Sequence, residues 1–271
     1  MVDTIYNMPN SLLFIFISFL TIVISFICTL LVHQFIPMSY RYRENNALVS
    51  VSAMIGVIYA ILVGFTILYE LNNFNKAEQA EIEEAKTAFT VFRLAHMLPE
   101  QNGSKIRVQI LNYLQNTIEN EWPSMIQGKH VNNDGVIILE KIFKELHVVK
   151  NTKLKDIQLN ALNNISLSTS TLFNFHQDRV SKLHSSLSPN LWFVILLGTF
   201  LTIGINFILG MELRLHLVCI SGVSLIVSAI LFLIITLDRP YRGDFPIKPN
   251  TFQSTLEYLN LHKNIEKDIA A

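Results

Sequence analysis

Charge is what this sequence has least of: 15% of its 271 residues are Asp, Glu, Lys or Arg, where a soluble domain carries about 25%. Acids and bases balance at 21 each, so the formal net charge is zero. No basic stripe stands out, which excludes nucleic acid as a partner. Cysteine is nearly absent. Cys28 and Cys219 both lie inside apolar blocks, so no disulfide framework is expected and each reads as a small buried hydrophobe. Also missing are a nucleophile-elbow glycine pattern, a Walker loop and a paired-histidine zinc motif. The histidines, among them His96, His147, His176 and His184, are scattered, and Pro99 separates His96 from Glu100. They are expected at surfaces or interfaces. The chain is read as having no catalytic residue, no metal site and no cofactor.

What is present is apolar sequence in long blocks. Hydrophobic residues make up 51% of the chain, and a helix needs roughly 20 mostly apolar residues to cross a bilayer. Four segments qualify, at about 12–34, 46–69, 189–211 and 216–237. The second is free of charge from Glu44 to Glu70, Glu212 closes the third, and Asp238 closes the fourth. The first is not a cleavable signal peptide, because Lys and Arg are missing before it and its apolar run is too long. No acidic side chain sits mid-span, which argues against a coupled transporter.

The expected fold is therefore an all-α integral membrane protein. Its four transmembrane helices fall in 1–69 and 189–237, with a helical domain inserted at 70–188 and a tail at 238–271. Lys76, Lys86, Arg179, Lys182, Arg239, Arg242 and Lys248 lie on the side shared by both termini and the insert, against Arg41, Arg43 and Arg214 on the other. The positive-inside rule then places the insert and both termini in the cytoplasm.

Within 70–188, Glu70 to Met97 continues the second span with no Gly or Pro, and Leu98-Pro99 ends it. Gly103 is expected to loosen a turn, and Ser104 to cap a helix bearing Ile106, Ile110, Leu111, Leu114 and Ile118. Trp122-Pro123 should bend or end that helix. Asp134 should cap a short helix with Ile138, Ile142 and Leu146, and a longer one should run from about Leu154 through Ile157, Leu162, Ile165, Leu172 and Phe173. Asn250 with Gln253 suggests a capping box for a terminal helix near 251–267.

Two patterns bear on function. In the second span, Ser52, Gly56, Ala60 and Gly64 recur every four residues, a helix-packing stripe of small side chains. The opposite face carries Ile55, Ile58, Leu62, Phe65 and Tyr69. Read one way, the stripe is plain helix packing. Read the other way, this helix lines an oligomeric pore and its bulky face forms an apolar gate that closes by dewetting. Just beyond, residues 70–86 hold five glutamates against two lysines. They read either as a solvated helix face or, in a symmetric assembly, as an acidic vestibule of Glu70, Glu78, Glu81 and Glu84 that favours cations.

Further elements coincide along the chain. They are Glu84-Ala85, Phe92-Arg93, Leu98-Pro99, Tyr113, Glu121-Trp122-Pro123-Ser124-Met125 with Gly128, Pro189 with Leu191-Trp192 and Gly198, and Asp238-Arg239-Pro240-Tyr241-Arg242-Gly243 with Pro249 and Phe252. In this order and spacing, from about residue 40 to 260, the chain resembles the bestrophin-like family of membrane proteins. The resemblance implies four spans per subunit, a helical cytosolic region, a homo-oligomer with a pentamer favoured, and inorganic ions as cargo. It also implies structural roles for Arg93, Glu121, Trp122, Pro123, Trp192, Asp238, Pro240 and Gly243. Glu121 is expected to pair with a cation such as Arg93 or Arg179, Asp238 with Arg239 or Arg242, and Trp192 is expected to anchor at the bilayer interface.

The chain departs from true bestrophins in two places. Their dense acidic calcium cluster after the last span is reduced here to Asp238 and Asp244 among arginines, so calcium gating is not expected. Their double-phenylalanine neck is reduced to Phe65. The expected function is an ion channel or pore lined by the second span, in the bacterial inner membrane. The alternative is a non-conducting scaffold or sensor that docks partners on its cytoplasmic helices.

Overall fold

The computed structural model describes residues 9–183, 186–244 and 246–270. His184 and the first eight residues of the leading segment lie outside these ranges. The described residues form helices and no strand. They are α1 (Asn10–Phe35), α2 (Met38–Arg43), α3 (Asn45–Ala95), α4 (Glu100–Asn116), α5 (Trp122–Ile126), α6 (Asp134–Lys150), α7 (Asp156–Lys182), α8 (Pro189–Asn206), α9 (Leu213–Leu237) and α10 (Asn250–Ala270). A single π-helical turn, Thr117–Glu121, joins α4 to α5. Four helices, α1, α3, α8 and α9, are long and apolar enough to cross a membrane. The chain divides into two compact units. One takes the described residues of Met1–Phe74 and Ser186–Arg239, the other those of Asn75–Ser185 and Pro240–Ala271.

In the first unit α1 packs along α9. Small hydroxyls meet between them: Ser224 donates to Ser25 Oγ at 2.8 Å, and Thr21 and Ser228 lie 3.1 Å apart. Such side chains let two apolar helices approach closely and bond where hydrocarbon offers no alternative partner. A second cluster joins Tyr59 and Val63 of α3 to Ile195 and Ile203 of α8 and to Ile220, Val227 and Ile234 of α9. The Tyr59 hydroxyl lies 2.7 Å from Thr199 Oγ1. Helix α8 stops at Asn206, short of the expected 211, because the chain turns there. The Asn206 amide folds back to the Thr202 carbonyl at 2.6 Å, and Gly210 donates to Asn45 Oδ1 at 2.9 Å.

The second unit is built on apolar stripes with helical spacing. Ile106, Ile110, Leu114, Leu139, Ile142, Val149, Ile165 and Leu172 are all fully buried. Several expected boundaries move. Helix α4 begins at Glu100, behind Pro99, so Ser104 lies inside it and caps nothing. Gly103 is likewise helical, and a Cβ there would run into the Ala95 carbonyl. The close approach of backbone to backbone is what requires glycine. Gly103→Ala should therefore cost about 1–3 kcal/mol, read as a lower thermal-unfolding midpoint in detergent. A midpoint equal to that of the parent would mean the corner yields freely.

Trp122-Pro123 does not end the helix. The chain passes through the π turn, with the Trp122 N–H on the Thr117 carbonyl, and continues as α5 with Pro123 as its second residue. Asp134 sits in the first turn of α6 behind Asn133 and does not cap it. Ile138 is only half-buried while Leu139 is buried, and Ile157, 69% exposed, lies off the α7 stripe. The start of α10 is satisfied from α3. The Glu81 carboxylate accepts the Thr251 N–H at 2.9 Å and the Thr251 hydroxyl at 2.7 Å. An acid at a helix N-terminus satisfies an orphan donor and complements the helix dipole.

Candidate functional site

Three faces of α3 can be told apart within the first unit. The strip it buries is Tyr59, Val63, Thr66 and Glu70. Turned at 3.6 residues per turn, this strip lies between the two faces singled out in the sequence. On one flank is the small-residue stripe. Ser52 donates to Asn206 Oδ1 at 3.3 Å, Ala60 is exposed, and no atom comes within 4 Å of a Cβ built on Gly56 or Gly64. On the other flank Ile58, Phe65 and Tyr69 are 65%, 70% and 57% exposed, with Ile55 and Leu62 half-buried. Among the described residues, both flanks are therefore covered only in part.

The acidic vestibule needs correction. Of its four carboxylates only Glu78 is exposed. Glu70 is buried. Glu81 caps α10, and burial holds its carboxyl above the ordinary value against those hydrogen bonds. Glu84 is fully buried. A carboxylate that is already desolvated inside its own subunit cannot line a water-filled mouth.

Glu84 instead belongs to an ion-pair cluster at the centre of the second unit. Arg179 of α7 donates to both its oxygens, Nε to Oε2 at 2.7 Å and Nη2 to Oε1 at 3.0 Å, and Nη2 also reaches Glu121 Oε2 at 2.6 Å. Asn116 donates to the other Glu121 oxygen at 3.1 Å, and the Tyr113 hydroxyl donates to Glu84. His176 Nδ1 lies 3.7 Å from one oxygen of each glutamate. The guanidinium stacks near Trp122 and Phe252, with centroids at 5.3 and 5.8 Å.

The electrostatics follow from this geometry. Burial is the largest single influence on the Glu84 carboxyl and raises it, but the Arg179 charge together with hydrogen bonds from His176 and Arg179 outweighs it and holds the group down at about 2. Burial opposes the Arg179 charge as well, yet the two glutamates push that group well above its ordinary value. Burial and then Glu84 push the Tyr113 hydroxyl well up. The cluster is thus charged and fixed. It contains no activated nucleophile, and no group of His, Cys, Asp and Glu among the described residues could hold a metal ion. What it can do is tie α3, α4, α5 and α7 to one point.

Glu121 ends the π turn and Trp122 begins α5, and both are buried, Glu121 against Arg179 and Trp122 between Tyr241 and Phe252. Trp122 also donates to the Ile247 carbonyl at 3.0 Å.

The remaining motif residues take separate places. Arg93 is exposed and lies over the Phe89 ring rather than on Glu121. Trp192 packs on the first unit's core, and Asp238 accepts the Leu187 N–H at 2.5 Å. Pro240 accepts from Ile247, and Gly243 adopts φ 87°, which favours glycine. His176, expected at a surface or interface, is instead buried at the centre of the cluster, and a group of Arg41, His33 and His216 in the first unit escaped the sequence reading. The signal for the first was present, since Ile165, Thr169, Leu172, His176 and Arg179 share one helical stripe.

Comparison with known proteins gives one consistent result. A family model described as a Bestrophin-like domain matches residues 19–252. No curated protein matches. The crystal structure of a membrane protein superposes with a TM-score of 0.65 at 13% identity, over 91% of this chain and 97% of that one. A bacterial bestrophin homologue from Klebsiella pneumoniae, crystallised as a point mutant, gives 0.61 at 15% identity, over 92% and 97%. A second mutant of that description gives 0.61 at 13%, over 91% and 97%. At these identities the likeness is one of fold.

Proposed function

The chain belongs to the bestrophin-like family, and from that premise we propose that it is a homo-oligomeric ion channel whose second apolar helix, α3, lines the path. The observation that carries the reading is the exposure of Ile58, Phe65 and Tyr69 on one flank of α3 and the open space beside Gly56 and Gly64 on the other, among the described residues. Gly56 and Gly64 leave room for a neighbour's backbone. Ile58, Phe65 and Tyr69, with Ile55 and Leu62, then form the apolar lining, and Phe65 is the bulky side chain at its constriction. Five copies is the number the family favours. The four apolar helices cross the bacterial inner membrane, and the second unit and both termini lie in the cytoplasm on the strength of the Lys and Arg distribution. Glu78 is the one carboxylate of the four expected at the mouth that still faces solvent, and a ring of it favours cations.

The test has two arms. Purified particles should show ring symmetry with an axial opening, and liposomes should pass K⁺ or Cl⁻. Phe65→Ala should raise the flux about tenfold or more if removing the ring lets water fill an apolar constriction. A monomer or dimer that passes neither ion would overturn the channel and leave the scaffold reading.

A further inference from the structure

Arg41 and His216 of the first unit are each only 1% exposed, and His33 is half-buried between them. Arg41 Nη2 lies 3.2 Å from His33 Nδ1, His33 Nε2 lies 3.0 Å from His216 Nδ1, and His216 Nε2 lies 2.8 Å from the Asn206 carbonyl. The two ends of this chain fix its direction. A guanidinium only donates and a carbonyl only accepts. His33 Nδ1 must therefore accept, so its proton sits on Nε2. That proton goes to His216 Nδ1, so the His216 proton also sits on Nε2 and goes to Asn206. Every link is satisfied only when both imidazoles are neutral.

A proton added to either ring breaks the chain. On His33 it would sit on Nδ1, facing an Arg41 donor. On His216 it would face the His33 N–H. In both cases donor meets donor, and a second positive charge is placed near a buried guanidinium. Among the described residues no carboxylate pairs with Arg41 or either ring to offset it. Arg41 otherwise donates to the Leu209 carbonyl at 3.4 Å and Met38 Sδ at 3.3 Å, and its Nε has no partner. Helices α1 and α8 bring no charged side chain to this end, apart from His33 itself. Arg43 pairs with Glu44 at the surface, and Glu212 and Arg214 at the start of α9 are exposed.

We propose that Arg41, His33, His216 and the Asn206 carbonyl form an acid-operated latch joining the ends of α1, α2, α8 and α9. The latch holds while both rings are neutral. It opens when the compartment facing residues 36–44 and 207–212 turns acidic, and the α1–α2 corner then separates from the α8–α9 turn. The device does not depend on whether the protein conducts.

Glutamine reproduces the polarity without titrating, because its carbonyl accepts where Nδ1 does and its amide donates where Nε2 does. Hydrogen–deuterium exchange on the full chain in nanodiscs, corrected for the intrinsic pH dependence of amide exchange, provides the measurement. Between about pH 7.5 and about pH 5.5, spanning the ordinary histidine range, amides of 33–44 and 206–216 should exchange about tenfold faster in the parent. The combined His33→Gln and His216→Gln protein should show no such acid response. An equal response in both proteins, or none in the parent, overturns the latch. Should the double variant fail to fold, nitrogen-15 NMR of the parent's imidazoles decides it. Two neutral rings with Nε2–H at neutral pH are expected, and a ring carrying Nδ1–H there overturns the proposal.

Discussion

Arg179→Ala should cost about 3–5 kcal/mol and leave a protein that melts early or fails to stay monodisperse in detergent. The substitution removes the only guanidinium that touches Glu84 and Glu121 among the described residues and strands two carboxylates in the interior. Leaving a buried charge without its partner is worse than removing the whole pair. Arg179→Met combined with Glu84→Gln and Glu121→Gln should therefore recover most of the loss. Intrinsic-fluorescence melts and size-exclusion profiles read both. A single mutant as stable as its parent would show that water reaches the cluster.

The same cluster sets an acid limit on the second unit. The Glu84 carboxyl is held at about 2 against an ordinary value of 4.5, so its folded-state value is depressed. Its contribution is then complete above the ordinary value and is lost as pH falls from 4.5 towards 2. The parent melts should fall through that window, and the triple variant should fall less.

Trp122→Ala is the second large effect, at about 3–5 kcal/mol. The indole is 1% exposed, packs between Tyr241 and Phe252, and donates to the Ile247 carbonyl. Trp122→Phe keeps the stacking and leaves that carbonyl unpaired, so about 1–2 kcal/mol is expected. The order parent, Phe, Ala in melting midpoint is the checkable outcome. Trp122→Ala and Arg179→Ala should not add, because the guanidinium lies over the indole and both changes open one site. Strict additivity would mean that the ring and the ion pairs stabilise the unit separately.

Much of this was legible in the sequence, and the failures share one cause. The apolar helices and the break at Pro99 are legible because bilayer thickness and proline sterics act locally. Glu81 and Glu84 were misplaced because a run of acids was read by charge alone. By position they belong to the stripe Ala77, Glu81, Glu84, Ala88, Val91 and Ala95, which is buried throughout. A helical-wheel reading places both inside but does not name their partners, which lie 170 residues further along the chain for Glu81 and 95 for Glu84. The capping of α10 was missed in the same way. Asn250 and Gln253 have the right local spacing, yet the donor at Thr251 is satisfied by Glu81 from another helix.

The sequence alone determined where apolar runs are long enough to cross a bilayer, where helices must break, and which family the chain resembles. Each of these rests on interactions within a few residues or on bulk transfer from water. Tertiary structure alone decided that Glu84, Glu121, His176 and Arg179 share one buried site, that His33 and His216 line up behind Arg41, and that Ile58, Phe65 and Tyr69 of α3 stay exposed. Those outcomes depend on pairings between residues far apart in the chain. A buried charge or a directional hydrogen bond can be assigned only when both partners are in place.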